Sequence, residues 1–136
     1  MYLIDTSVWI DFFRNKQNKA VKQFLEIIDN DIRFGITPLI YQEVLQGVKS
    51  TQDMKKLREY LNTQIIYYPK HDLKSYESAA QLYFNCRVNG ITIRSTIDCL
   101  IAQTAIEYNL ILLHSDKDFT RLATYATELR QDCRIS

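Results

Sequence analysis

Five acids stand where a chain can do chemistry. Asp5 closes the apolar run Tyr2-Leu3-Ile4, and Glu43 lies in the amphipathic stretch Leu39-Ile40-Tyr41-Gln42-Glu43-Val44-Leu45. Asp98 precedes the near-apolar run Cys99-Leu100-Ile101-Ala102, and Asp116 and Asp118 follow Leu110-Ile111-Leu112-Leu113 within His114-Ser115-Asp116-Lys117-Asp118-Phe119. Each has an ordinary reading taken alone. Asp5 can cap the next helix, and Glu43 can be a solvated acid on a helix face. Ser95-Thr96-Ile97-Asp98 resembles a capping box with Asp in place of Glu or Gln. One of Asp116 and Asp118 can cap the last helix, with Asp116 nearer the strand end. Asp11, one turn after Ser7, is the weaker candidate and belongs on an outer face.

Taken together the acids say more. Two carboxylates about 5 Å apart repel by about 3 kcal/mol at an effective dielectric near 20. Three or four in one crevice need a cation or stay partly protonated. Mg²⁺ or Mn²⁺ suits such hard oxygen ligands. An ion held there polarises a phosphate oxygen and lowers the pKa of a bound water, which is phosphoryl-transfer chemistry.

The elements that must deliver these acids alternate. Strands are expected at 2–4, 34–36, 64–67 and 110–113, with the last residues adding an edge strand or staying loose. Helices are expected from a Thr6-Ser7 cap through Val8, Trp9 and Phe13, over 21–28, and from Thr37-Pro38 to near Gly47. Further helices are expected over 53–61 and 73–88, from Ser95 to Asn109, and from Asp116 through Leu122. The alternation implies an α/β fold with a mostly parallel central sheet of four to five strands and helices on both faces. Ligands of such sheets bind beyond the carboxyl ends of the strands, where Asp5 and Asp116 are delivered.

The 136 residues are 46% hydrophobic and 24% charged, which fits a single domain over residues 1–136 with its own core. The formal charge is only +1. Setting four clustered acids aside takes the remainder to about +5, a basic rim suited to a phosphodiester polymer. Arg14, Lys16, Lys49, Arg87, Arg94 and Arg121 are the candidate contacts, and Arg94 leads because it lies four residues before Asp98. Nine tyrosines can stack on bases or line a protein interface. Cys86, Cys99 and Cys133 form no Cys-x-x-Cys pair, and His71 and His114 do not fall at zinc-ligand spacing, so reduced thiols are expected. Without a basic leader or an apolar run of about 20 residues, a cytoplasmic, non-membrane protein is expected.

The order Leu3-Ile4-Asp5-Thr6-Ser7-Val8-Trp9, then Glu43, then Ile97-Asp98-Cys99-Leu100-Ile101-Ala102, then Leu113 through Phe119 resembles PIN domains. Among these it is most similar to the VapC toxins of bacterial type II toxin–antitoxin pairs, over nearly the whole chain. The resemblance implies a PIN-like three-layer fold and an endoribonuclease dependent on Mg²⁺ or Mn²⁺. It places Asp5, Glu43 and Asp98 in the metal site, with Asp116 as the fourth acid and Asp118 fitting part of the same motif. The hydroxyl of Thr6 or Ser7 would orient a water or phosphate. It further implies attack by a metal-activated water leaving 5′-phosphate and 3′-hydroxyl ends, a homodimer, an RNA substrate and a cognate VapB-like antitoxin.

Three other readings compete. A haloacid-dehalogenase-like phosphatase wants a second Asp two residues after Asp5, where this chain has Ser7. A receiver-type domain wants adjacent early acids and a partnered lysine, which are not found. A non-catalytic module that keeps the fold to bind RNA or an antitoxin is the alternative from another class, and the intact acids weigh against it.

Overall fold

Apolar runs too short for helices build the sheet. In the computed structural model, which describes residues 1–135, the strands are Tyr2–Ile4 (β1), Phe34–Ile36 (β2), Ile65–Ile66 (β3), Ile111–His114 (β4) and Arg130–Cys133 (β5). They lie in the order β3-β2-β1-β4-β5, and every pairing is parallel. The central strands are the apolar ones, as burial on both faces requires. β5 is polar at Arg130, Gln131 and Asp132, and it is an edge strand.

The helices are Thr6–Phe13 (α1), Lys19–Asp29 (α2), Pro38–Gln46 (α3), Thr51–Leu61 (α4), Leu73–Val88 (α5), Thr96–Glu107 (α6) and Lys117–Ala123 (α7). Their starts follow from capping chemistry. Thr37 Oγ1 accepts from Ile40 N at 3.2 Å with Pro38 at the first helical position. Asn18 and Ser50 cap α2 and α4 in the same way. One cap decides between two starts that the sequence left open. Asp5, not Thr6 or Ser7, caps α1, because Asp5 keeps the extended backbone of β1 (φ −66°, ψ 154°) while Thr6 is already helical.

Right-handed crossovers place α1–α4 on one face of the sheet and α5–α7 on the other. Within each set α1 packs on α2 and α3, α3 on α4, α5 on α6, and α6 on α7, and α3 also meets α6. The core joins Leu3, Ile4, Ile36, Leu112 and Leu113 of the sheet to Trp9, Phe24, Ile101 and Phe119 of the helices. Gly35 is fixed by close approach, since a Cβ there would stand 2.6 Å from Ile65 O and from the Tyr67 ring. Cys86 and Cys99 are buried, Cys133 is exposed, and all three are free thiols. No helix among the described residues is long and apolar enough to cross a membrane.

The strand order reverses direction between β1 and β4. The chain steps outward through β2 and β3 on one side of β1 and through β4 and β5 on the other. Such a switch point opens a crevice at the carboxyl ends of the two strands.

Candidate metal centre

Asp5 sits at the carboxyl end of β1, its backbone N–H continuing the ladder to Leu113 O at 3.0 Å. Its side chain faces inward and the residue is 5% exposed. Oδ2 accepts from Ser7 Oγ at 2.7 Å and from Ser7 N at 3.3 Å. Burial pushes the carboxyl up to about 6, against the pull of the Ser7 hydrogen bonds, and Glu43 adds repulsion. Thr6 Oγ1 donates to Glu43 Oε1 at 2.8 Å, which ties the start of α1 to the middle of α3. The Thr6 and Ser7 hydroxyls therefore hold the acids themselves.

Asp98 is in the first turn of α6, but it is not the cap. Ser95 takes that role, accepting from Ile97 N at 3.2 Å. Asp98 thus faces the crevice, where burial, then Asp5, Asp116, Asp118 and Glu43 in turn, push its carboxyl up to about 7. This one residue feels all four other acids, so it stands between the β1 side of the crevice and the β4 side.

On the β4 side, Asp116 caps α7, its Oδ1 accepting from Asp118 N at 2.9 Å. Asp118 is 1% exposed. Its Oδ2 accepts from Arg94 Nε at 3.0 Å and Arg94 N at 3.4 Å. Arg94 Nη2 also reaches Asp116 Oδ1 at 3.3 Å. Asp98, Asp116 and Asp118 each offer an oxygen within 4.8 Å of the others, so both Asp116 and Asp118 lie close enough to Asp98 to share an ion with it, and Asp5 and Glu43 fall outside that group.

One supporting residue has no counterpart in the sequence reading. His114 is fully buried; Asp116 N donates to its Nδ1 at 3.1 Å, and its Nε2 lies 2.8 Å from Gln131 Oε1. An accepting Nδ1 puts the ring proton on Nε2, donated to Gln131. Burial lowers the His114 pKa, consistent with a neutral ring that positions Asp116. Its only sequence signal is a polar residue ending an apolar strand, two before an acid.

The donor set grouped within 4.8 Å is three carboxylates, which fits a hard divalent ion. A further feature of the fit is Asp118 Oδ1, a buried oxygen that accepts no hydrogen bond and has Arg121 Nη1 3.7 Å away. A buried acceptor without a donor is costly, and a cation satisfies it. The groove between α1, α3 and α4, about 630 Å³ and lined by Ile10, Val48, Leu57 and Tyr60 with Arg14, Lys49 and Lys56, does not contain these acids. The crevice is defined by its charges and by the strand order.

The family model for the PIN domain matches residues 2–125. A VapC ribonuclease of Mycobacterium bovis is 31% identical over 124 residues, covering 90% of this chain and 92% of the relative. The structure of VapBC2 from Rickettsia felis, bound to a DNA fragment from its promoter, aligns with a TM-score of 0.75 at 19% identity over 97% of both chains. That of VapBC-1 from nontypeable Haemophilus influenzae aligns at 0.73 and 20% identity, over 97% of this chain and 96% of that one.

Proposed function

The chain belongs to the PIN-domain family, and from that premise we propose that it is the VapC-like toxin of a toxin–antitoxin pair, an endoribonuclease that uses Mg²⁺ or Mn²⁺. The observation that carries this reading is the cluster of Asp98, Asp116 and Asp118, whose oxygens lie within 4.8 Å of one another, with Asp5 and Glu43 near enough to push the Asp98 carboxyl up to about 7. A bound divalent ion would supply Lewis acidity at a phosphate oxygen and a more acidic water.

The chain's own residues do the rest. Asp98, Asp116 and Asp118 would hold the ion between them, and Asp5 and Glu43 would add charge to it from the β1 side. Ser7 fixes the rotamer of Asp5, Thr6 that of Glu43, and His114 the backbone of Asp116. Pre-set ligands need no rearrangement when the substrate arrives. Water attack at phosphorus leaves 5′-phosphate and 3′-hydroxyl ends. The test is cleavage of structured RNA with added Mg²⁺ by wild type and Asp5→Ala. We expect metal-dependent cutting by wild type and near-complete loss in the variant, with ends mapped by ligation. Equal cutting by both would place the activity elsewhere.

The whole chain acts as one nuclease domain. Relatives solved as VapBC complexes support a VapB-like partner. A second copy of this chain is supported by α5. Leu73, Tyr76, Phe84 and Val88 are all about half exposed or more along one stripe. Tyr76 and Phe84 flank the exposed Ala80 by four residues on either side, and Leu73 and Val88 lie seven and eight away. That near-palindrome suits an antiparallel helix pair about a two-fold axis. The stripe leaves on the order of 500 Å² per copy open to water, a large share of the roughly 800 Å² per partner of a standard interface.

A further inference from the structure

Arg94 lies in the loop before α6 and turns onto the acid cluster. Its guanidinium forks between two residues, with Nε on Asp118 Oδ2 and Nη2 on Asp116 Oδ1. Its side chain is nonetheless 74% exposed, while that of Asp118 is 2% exposed. Both partners belong to the set of three carboxylates whose oxygens lie within 4.8 Å of one another. A guanidinium and a divalent ion draw on the same lone pairs.

We propose that Arg94 is a tethered cation that competes with the metal ion for Asp116 and Asp118, so that ion binding and the Arg94 ion pairs oppose each other. The inference rests on the metal-centre reading and adds a regulator to it. Three features separate this role from that of a fixed structural pair. The guanidinium takes one oxygen from each of two acids rather than both from one, as a two-bond fork onto a single carboxylate would. It leaves Asp118 Oδ1 without a hydrogen bond. Its side chain, 74% exposed, has open solvent to swing into, so the guanidinium can be rehydrated when it leaves the acids. The backbone N–H of Arg94 also points at Asp118 Oδ2, so the loop keeps an anchor when the side chain leaves. The site is then damped by its own chain and fills only when the ion concentration is high enough to displace the arginine.

The experiment uses Mn²⁺ alone, titrated into the full-length, metal-stripped chain by calorimetry and by electron paramagnetic resonance of the free ion. Wild type, Arg94→Ala, Arg94→Gln and Arg94→Lys are compared at pH 7.5 and low salt. Removing the competitor tightens the Mn²⁺ dissociation constant about three- to tenfold in both neutral variants, the span expected for two ion pairs made by a solvent-exposed guanidinium. Arg94→Lys, which keeps a tethered charge, stays near wild type. Raised salt narrows the gap between wild type and Arg94→Ala. Unchanged or weaker Mn²⁺ binding in both neutral variants overturns the proposal and makes Arg94 a support for the loop. Absence of Mn²⁺ binding in every form up to millimolar ion overturns the metal-centre reading itself, and this proposal with it.

Discussion

Replacing Asp5 by Asn separates what the carboxylate does for the fold from what its charge does in the crevice. Asn caps a helix about as well as Asp, so the bonds to Ser7 N and Oγ have an acceptor in the variant. The charge is different. Asp5 has its carboxyl raised from 3.8 to about 6 in the folded chain. At pH 7.5 and without metal, folding must carry an ionised group into a place that disfavours it. A rise of that size corresponds to roughly 3 kcal/mol. Because the folded pKa is the higher one, the favourable contribution of protonated Asp5 is complete below about 3.8. It drains away as pH rises through about 6. The amide of the variant has no such titration. In urea unfolding with a chelator, Asp5→Asn should be more stable than wild type by about 1–3 kcal/mol at pH 7.5 and within error of it at pH 4. In thermal melts the gain at pH 7.5 is roughly 3 °C or more per kcal/mol for a chain of this size. Millimolar Mg²⁺ should then reverse the order, raising wild type by mass action and the variant little. A variant destabilised equally at both pH values would refute the reasoning, because the lost feature would be the cap and not a buried charge.

Asp98→Asn should leave helix content unchanged, since Ser95 is the cap, yet reduce RNA cleavage by at least about a hundredfold. In wild type, Mn²⁺ affinity by calorimetry should rise steeply from pH 5 to 8 as Asp5 and Asp98, at about 6 and about 7, lose their protons; in Asp98→Asn the upper part of that rise should vanish. Gly35→Ala should destabilise the fold by about 1–3 kcal/mol in urea, because the new methyl meets Ile65 O in the neighbouring strand. Ala80→Arg with Phe84→Glu should halve the mass seen by analytical ultracentrifugation, from twice the 16.1 kDa chain to one chain. A Leu25→Glu control on α2 should not; a wild type that sediments as one chain would remove α5 as a self-association face.

The elements are legible where apolar spacing or a cap announces them. Thr37-Pro38 starts α3 as its chemistry requires, and Leu110 to Leu113 falls in the fourth strand with its start one residue later. Apolar spacing carries the end of α6 two residues too far, because Asn109 turns at φ 53° after a Tyr108 cap. β5 stays ambiguous in the sequence because Arg130–Cys133 has no apolar alternation; it pairs through its backbone, in register with Ile111–His114. The acids are legible as a set through their positions at strand ends and helix starts. Their support is not. The partners of Arg94 lie 22 and 24 residues away, and His114 hides at the end of an apolar run.

Capping alone does not account for the placement of the acids. Asp5 and Asp116 do cap α1 and α7, and a cap contributes about 1 kcal/mol. Ser or Asn would cap those helices without bringing charge into the crevice. Asp98 and Glu43 cap nothing, and Asp98 is raised to about 7 by burial and by its four acidic neighbours. At neutral pH that residue carries a penalty larger than any cap returns. Thr6, Ser7 and His114 each brace an acid in this repulsive arrangement instead of relaxing it. Bracing of this kind around Asp98, Asp116, Asp118 and their neighbours Asp5 and Glu43 is what the proposed metal site requires. Arg94 pairs with Asp116 and Asp118 alone, and Asp5 and Glu43 are met by Ser7 and Thr6, which leaves their charge without a cation among the described residues.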